Sequence, residues 1–315
     1  MVRRSYTSSK GMIQYIEHKD IDREKWDRCI LSNSLNPLYG LSWYLDIVSP
    51  HWHGLISDNY NHVLPLPRKK KAGISYLIQP PYTQQLGVFT SQGICQPEMI
   101  ARFLDSIPRK YKLIKIALNE NNPVPKGEFQ FKKRVNYLLH LKADYSLLKS
   151  DYSENIKRNI KKAIKNQIFI KEVQDYNTLL HLKRNNPVAN LQPIHYQIME
   201  NLMHETMQNK SGNIYMAYDK NKSPLGGVFL PRLNKRMIYL ISVSNNTGKN
   251  SGAMALLIDT IIKQNAGNQE ILDFEGSSIP GLARFFSGFG AKPVYFHEYH
   301  QNRLPFPLNF FHKIK

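Results

Sequence analysis

Two cysteines, Cys29 and Cys95, are all that the 315 residues contain. They are too few and too isolated for a disulfide framework or a structural zinc site. Long apolar runs are missing as well, since none approaches the ~18 consecutive residues that mark a bilayer span. The start, Met1-Val2-Arg3-Arg4-Ser5-Tyr6, has basic residues without an apolar stretch behind them, which is not the form of a secretory leader. Together these absences predict a cytoplasmic protein without integral membrane association. Acidic residues are also in short supply, 24 against 43 Lys and Arg, for a formal net charge of +19. That excess suits nucleic acid, anionic lipid or phosphorylated small molecules. A hydrophobic fraction of 42% rules out disorder as the dominant state. The length suits about two domains.

No repeat of short period occurs, which removes solenoids and propellers. Periodicity predicts strands at 12–16, 54–57, 62–66, 74–79 and 111–118, with helices at 22–31, 42–48 and 97–107. Between two of these strands, Arg68-Lys69-Lys70-Lys71-Ala72-Gly73 reads as a hairpin tip carrying four cations, either solvated or in contact with an anion. The second half opens on Asp151, which can cap a helix with Glu154 three residues on. In that helix Ile156, Ile160, Ala163 and Ile164 share a face, and Lys157, Arg158, Lys161, Lys162 and Lys165 cover the other. A strand at 168–173, helices at 175–183 and 193–208, and strands at 213–218, 225–231 and 237–243 follow. A polar loop at 244–252 leads into a helix at 253–264, a strand at 270–274, a helix at 280–287 and a strand at 292–300. The element order of the first half is repeated in the second, so the fold class is α/β (α+β mixed sheets) with two domains, 1–145 and 146–315. The Pro-rich tail from Leu304 to Leu308 is expected to lie on the first.

The segment Asn245-Asn246-Thr247-Gly248-Lys249-Asn250-Ser251-Gly252-Ala253 supplies two glycines, small polar side chains and one lysine before a helix N-terminus. Such a segment can cradle a diphosphate, or it can simply connect strand to helix. It is not a Walker A loop, because the required glycine is Val243, and no G-x-G-x-x-G occurs.

The order of elements from Asn213 to His300 resembles the GNAT acyltransferase core. Asn155 to Lys165 followed by Ile168 to Val173, together with Asp273-Phe274-Glu275-Gly276 and Phe285-Phe286-Ser287-Gly288-Phe289-Gly290, is similar to the Fem-like branch of that superfamily. The resemblance implies two tandem GNAT-like domains, the first binding the acceptor and the second the donor. It implies acetyl-CoA or another acyl-CoA at Val243, Ser244, Gly248, Lys249, Asn250, Ser251, Gly252 and Ala253, and an amine acceptor. Fem-like ligases instead take their donor from aminoacyl-tRNA and build cell-wall bridges. They carry lysine where this chain has Phe286, and a coiled-coil arm that is missing here, which favours acyl-CoA over tRNA.

Amide formation needs alignment, a base and oxyanion stabilisation. Asp273 and Glu275 alternate along a strand and are expected on one face beside the donor segment. Glu275 is the first choice for base or amine anchor; the alternative is that it caps the turn through Ser277 or Ser278. Tyr295, His297 and Tyr299 share a strand face as proton donors or as packing residues. Tyr82, Gln84 and Gln85 are either acceptor contacts or a buried turn. No metal is expected: of the two densest histidine groups, His51-Trp52-His53 and His297-Glu298-Tyr299-His300, the latter lacks H-E-x-x-H spacing and falls in a strand-like segment. No nucleophile elbow and no RNA- or DNA-reading motif occurs. The competing classes are a non-enzymatic binder of nucleic acid or anionic membrane through the basic helix, and a degenerate scaffold.

Overall fold

The computed structural model describes residues 11–33, 38–187, 191–276 and 279–306. The Met1–Tyr6 start, Ser277, Ser278 and the tail beyond Phe306 lie outside them. The chain forms two compact units, Met1–Arg134 with Phe296–Lys315, and Val135–Tyr295.

The first unit contains β1 (Gln14–Ile16), α1 (Arg23–Asn33), α2 (Ser42–Val48), β2 (His53–Ser57), β3 (His62–Leu66), β4 (Arg68–Lys71), β5 (Ile74–Ile78), β6 (Phe89–Thr90), α3 (Pro97–Asp105) and β7 (Tyr111–Ala117). The chain crosses into the second unit within β8 (Gln130–His140). There follow α4 (Tyr145–Ser150), α5 (Glu154–Lys165), β9 (Phe169–Val173), α6 (Asn177–Asn185), α7 (Pro193–Gln208), β10 (Gly212–Tyr218), β11 (Pro224–Leu233), β12 (Arg236–Ile238), β13 (Ile241–Ser244), α8 (Asn246–Ser251), α9 (Ala253–Asn265), β14 (Ile271–Asp273), α10 (Pro280–Ser287) and β15 (Lys292–Asn302). Helices with mixed sheets match the expected α/β class. No helix among the described residues is long and apolar enough to cross a membrane.

In the first unit β1, β2, β3 and β6 form an antiparallel sheet. Its inner side is anchored by Trp26, whose indole N–H donates to the Gly40 carbonyl at 2.9 Å and whose ring meets Trp52 at 4.7 Å. A second strand set runs β4, β5, β7 and the Glu298–Asn302 part of β15. The cations expected at a hairpin tip are strand β4 itself, paired with β5. The turn lies at Ala72-Gly73, because these are the residues that take left-handed backbone (φ 48° and 79°). Solvated lysines on an edge strand also discourage pairing with a second chain.

In the second unit β9, β10 and β11 are antiparallel neighbours, β12 pairs with β11, and β14 runs parallel to β12 and antiparallel to β8. Helix α5 starts at Ser153, whose hydroxyl accepts from the Ile156 N–H at 3.4 Å. Asp151, expected in that role, is instead the C-cap of α4, a helix the sequence reading did not contain. Ile156, Ile160 and Ala163 are buried, in one core with Ala253, Leu257 and Ile261 of α9. Each buried isoleucine contributes about 1.5–3 kcal/mol, which docks a helix whose other face is cationic. Ile164 is 60% exposed: one position beyond Ala163, it has rotated off the stripe.

Candidate functional site

The strand expected at 237–243 is broken. Arg232 faces Met237, so regular antiparallel pairing would set Leu240 opposite Phe229; Ile241 is there instead. One extra residue is therefore inserted, a β-bulge. Before it, β12 pairs with both β11 and β14, and the Tyr239 N–H continues the second ladder to the Asp273 carbonyl at 2.7 Å. At the bulge the Leu240 N–H turns back to the Ile238 carbonyl at 2.8 Å. Beyond it β13 pairs with β11 alone among the described strands. The Asn245 N–H goes to the Leu225 carbonyl, so by antiparallel alternation the backbone groups of Ser242 and Ser244 face away from β11. The sheet opens at this place, with an unpaired strand edge on one side and the end of β14 on the other.

Lys183 of α6 reaches that edge, its Nζ donating to the Ser242 carbonyl at 2.7 Å. No carboxylate among the described residues pairs with it, and burial holds its pKa below the ordinary lysine value. Burial pushes the pKa of the nearby Tyr239 hydroxyl up to about 12, an effect the Ser242 side chain offsets in part. Tyr239 meets Phe286 at 5.8 Å, and Phe286 stacks on Phe274 at 4.6 Å, 4% exposed. The opening thus combines outward amides, a half-buried cation and an aromatic wall.

The end of β14 is held by Asp273, which is fully buried. One carboxylate oxygen accepts from the Asn136 amide (2.9 Å) and the Glu275 N–H (2.8 Å), the other from Arg236 Nε (2.8 Å) and Nη2 (2.7 Å). These four bonds fill its acceptor capacity. Asp273 is therefore closed off among its partners, which corrects the expectation that it shares an open strand face with Glu275. The strand ends at Asp273, and half-buried Glu275 takes left-handed backbone, φ 55°. Gly276 follows at φ 55°, where a Cβ would lie 2.1 Å from the Val135 carbonyl oxygen, so only glycine fits.

No family model and no curated protein matches the sequence. Solved structures do match in fold. FemX aligns with a TM-score of 0.62 at 13% identity, over 90% of this chain and 96% of its own. A tandem GNAT protein from the clavulanic acid biosynthesis pathway aligns at 0.55 and 10% identity, over 93% and 99%. L-PGS from Bacillus licheniformis aligns at 0.54 and 11%, over 92% and 94%. The chain has the Fem-like tandem GNAT fold.

In this chain the expected donor loop is not an open loop. Residues 246–251 form the short helix α8, capped by the Asn245 side chain, which accepts from the Gly248 N–H at 2.8 Å. Gly248 is buried against the Leu225 carbonyl, and Ser244 lies beside it. Gly252 turns the chain between α8 and α9 at φ 81°, where a Cβ would sit 2.3 Å from the Asn159 carbonyl of α5. Gly252 and Ala253 are consequently packed under α5, and Val243 is buried. Lys249 and Asn250 are exposed, and Ser251 is half-buried.

In the first unit Gln85 is 1% exposed, donating to Gln84 and accepting from the Glu120 N–H at 2.8 Å. It holds a buried turn, the second of the two readings given for it. Tyr82 and Gln84 are half-buried, and the Tyr82 carbonyl accepts from the Tyr44 hydroxyl. Tyr295 is 49% exposed on β15, whereas Tyr299 is buried against Phe131. Among the described residues no group of histidine, cysteine and carboxylate side chains could hold a metal.

Sequence reasoning did not find Lys183, Arg236 or the bulge. Arg236 and Asp273 carried a signal, two opposite charges at the ends of short apolar strands. Lys183 carried none, because its role depends on where α6 packs.

Proposed function

We propose that the chain is an N-acyltransferase that moves an acyl group, acetyl first among them, from an acyl-CoA thioester to an amine. The observation that carries this reading is the bulge that leaves β13 with one unpaired edge beside half-buried Lys183. An extended donor arm can add to that edge through the outward groups of Ser242 and Ser244. Its thioester carbonyl would then lie near the Lys183 ammonium, which stabilises the oxyanion formed when the amine attacks. Glu275 takes the amine proton, the C–S bond breaks, and the thiolate leaves with a proton from Lys183, whose depressed pKa suits that donation. Lys249 and Asn250, exposed on α8, supply the polar surface for the diphosphate. The acceptor falls to the first unit, with Tyr82 and Gln84 as contacts. The transferase character of the class is supported by a fold shared with FemX and a tandem GNAT protein.

A second donor, aminoacyl-tRNA, is favoured by one observation: the exposed cationic face of α5, Arg158, Lys161, Lys162 and Lys165, belongs to the helix packed on Gly252. Phe286, buried in the core where the tRNA-dependent ligases carry lysine, argues against it. Isothermal titration separates the two. Coenzyme A should bind the full chain, and weaken in Lys249→Gln. No heat at millimolar coenzyme A, together with tight, salt-sensitive tRNA binding, would reverse the choice of donor.

A further inference from the structure

The first unit contains a cavity of about 480 Å³ outside the machinery proposed above. Its walls carry four cations, Lys19, Arg68, Lys69 and Lys70, against one carboxylate, Glu17. Asp46 lies beside the same segment but is already used by His18 (2.8 Å), the Trp52 indole (2.9 Å) and Arg23.

The cavity wall is built, not merely charged. Arg68 Nη1 donates to His53 Nε2 at 2.9 Å. A guanidinium has donors only, so Nε2 must be the lone-pair nitrogen, and the ring is neutral with its proton on Nδ1. That proton goes to the Tyr15 hydroxyl, which also accepts from Lys110 Nζ at 2.8 Å. His53 is 5% exposed, so the arrangement is fixed from within the fold. Arg236 is held by a carboxylate that cancels its charge. Arg68 is held by a neutral imidazole, which orients the guanidinium and leaves its charge available. Both nitrogens of His53 are thus engaged, and no metal-holding group occurs among the described residues.

We propose that this cavity binds the phosphate group of a small phosphorylated ligand, with Arg68 as the oriented fork and Lys19, Lys69 and Lys70 as surrounding charge. The Arg fork matches phosphate geometry bidentately, and a multiply charged anion offsets more of the local excess than a carboxylate does. The volume lies within the range of small-molecule clefts and exceeds what a lone ion fills.

The test is isothermal titration of the full chain with inorganic pyrophosphate at low salt. A site in the first unit is expected besides any binding at Lys249, weakening as salt rises. Arg68→Gln should weaken it at least about tenfold, the loss of a charge-assisted pair. Lys70→Gln, at an exposed strand position that carries no packing, should weaken it in the same direction. His53→Phe should also weaken it without removing a charge, which a purely diffuse electrostatic site would not show. Lys220→Gln, at an exposed turn position of the second unit outside the donor segment, should leave it unchanged. A second arm uses phosphatidylcholine vesicles containing phosphatidylglycerol. Co-sedimentation displaced by pyrophosphate assigns the phosphate to a lipid headgroup, and its absence alongside pyrophosphate binding assigns it to a soluble ligand. No pyrophosphate binding at millimolar concentration, or binding lost in Lys249→Gln and kept in Arg68→Gln and Lys70→Gln, overturns the proposal.

Discussion

Replacing Asp273 with asparagine tests whether this residue holds the site or acts in it. In the native unit its two oxygens take four hydrogen bonds, two from Arg236, one from Asn136 and one from the Glu275 amide. Arg236 and Asp273 are 1% and 0% exposed, so solvent cannot replace a lost partner. Asparagine keeps the shape but removes the negative charge, and its amide nitrogen meets a donor on one side. Breaking a buried pair by removing one partner costs about 3–5 kcal/mol. For a unit of this size that corresponds to a fall in Tm of roughly 6–20 °C. Replacing both partners, Arg236→Met with Asp273→Leu, should recover much of the loss, because the stranded charge is gone. The assay is calorimetric unfolding of wild type, both single variants and the double variant, with coenzyme A titrated into each below its transition. Glu275→Gln serves as the contrast, expected to keep Tm and lose turnover. If Asp273→Asn unfolds with wild-type Tm, the clamp does not hold the turn and the positioning argument is wrong.

Lys183→Met keeps the aliphatic stem that packs at the opened edge and removes the ammonium on the Ser242 carbonyl. It should lower kcat by about 10²–10³, the usual loss for one oxyanion donor, with little change in Tm; unchanged kcat would remove Lys183 from the chemistry. Gly252→Ala should destabilise by about 1–3 kcal/mol, because φ is 81° and the new Cβ meets the Asn159 carbonyl. Unaltered thermal unfolding would show that α5 does not pack there. Burial, then Arg68 and Lys110, hold His53 at about 4 against an ordinary 6.5. The unfolded chain therefore binds the proton first as pH falls. Stability from this group is complete above about pH 6.5 and is lost towards pH 4, on the order of 3 kcal/mol. Denaturant unfolding between those values should show that slope, and His53→Gln should flatten it; an equal slope in both would locate the acid sensitivity elsewhere.

The sequence made some of this readable and hid the rest for physical reasons. Helix α2 was legible to the residue because Pro50 stops it, and α7 because Pro193 starts it. The cations of β4 misled, since a run of lysines reads as a solvated turn until the left-handed requirement of Ala72-Gly73 is known. The break between β12 and β13 was illegible, as an apolar run continues through it and only the pairing of Phe229 with Ile241 reveals the extra residue. The polar 245–252 segment was rightly seen as a helix entrance, but its glycines serve packing against Leu225 and Asn159. Asp273 was found for its charge and misread in its placement, because a sequence does not show which partner fills a carboxylate.

The central claim is that a donor adds to the free edge of β13, and hydrogen exchange of the backbone amides tests it most directly. With saturating coenzyme A, the Ser242 and Ser244 amides should slow while the β10 amides, already paired on both sides, stay as they were. Coenzyme A binding that leaves Ser242 and Ser244 exchanging at the free rate would contradict the account.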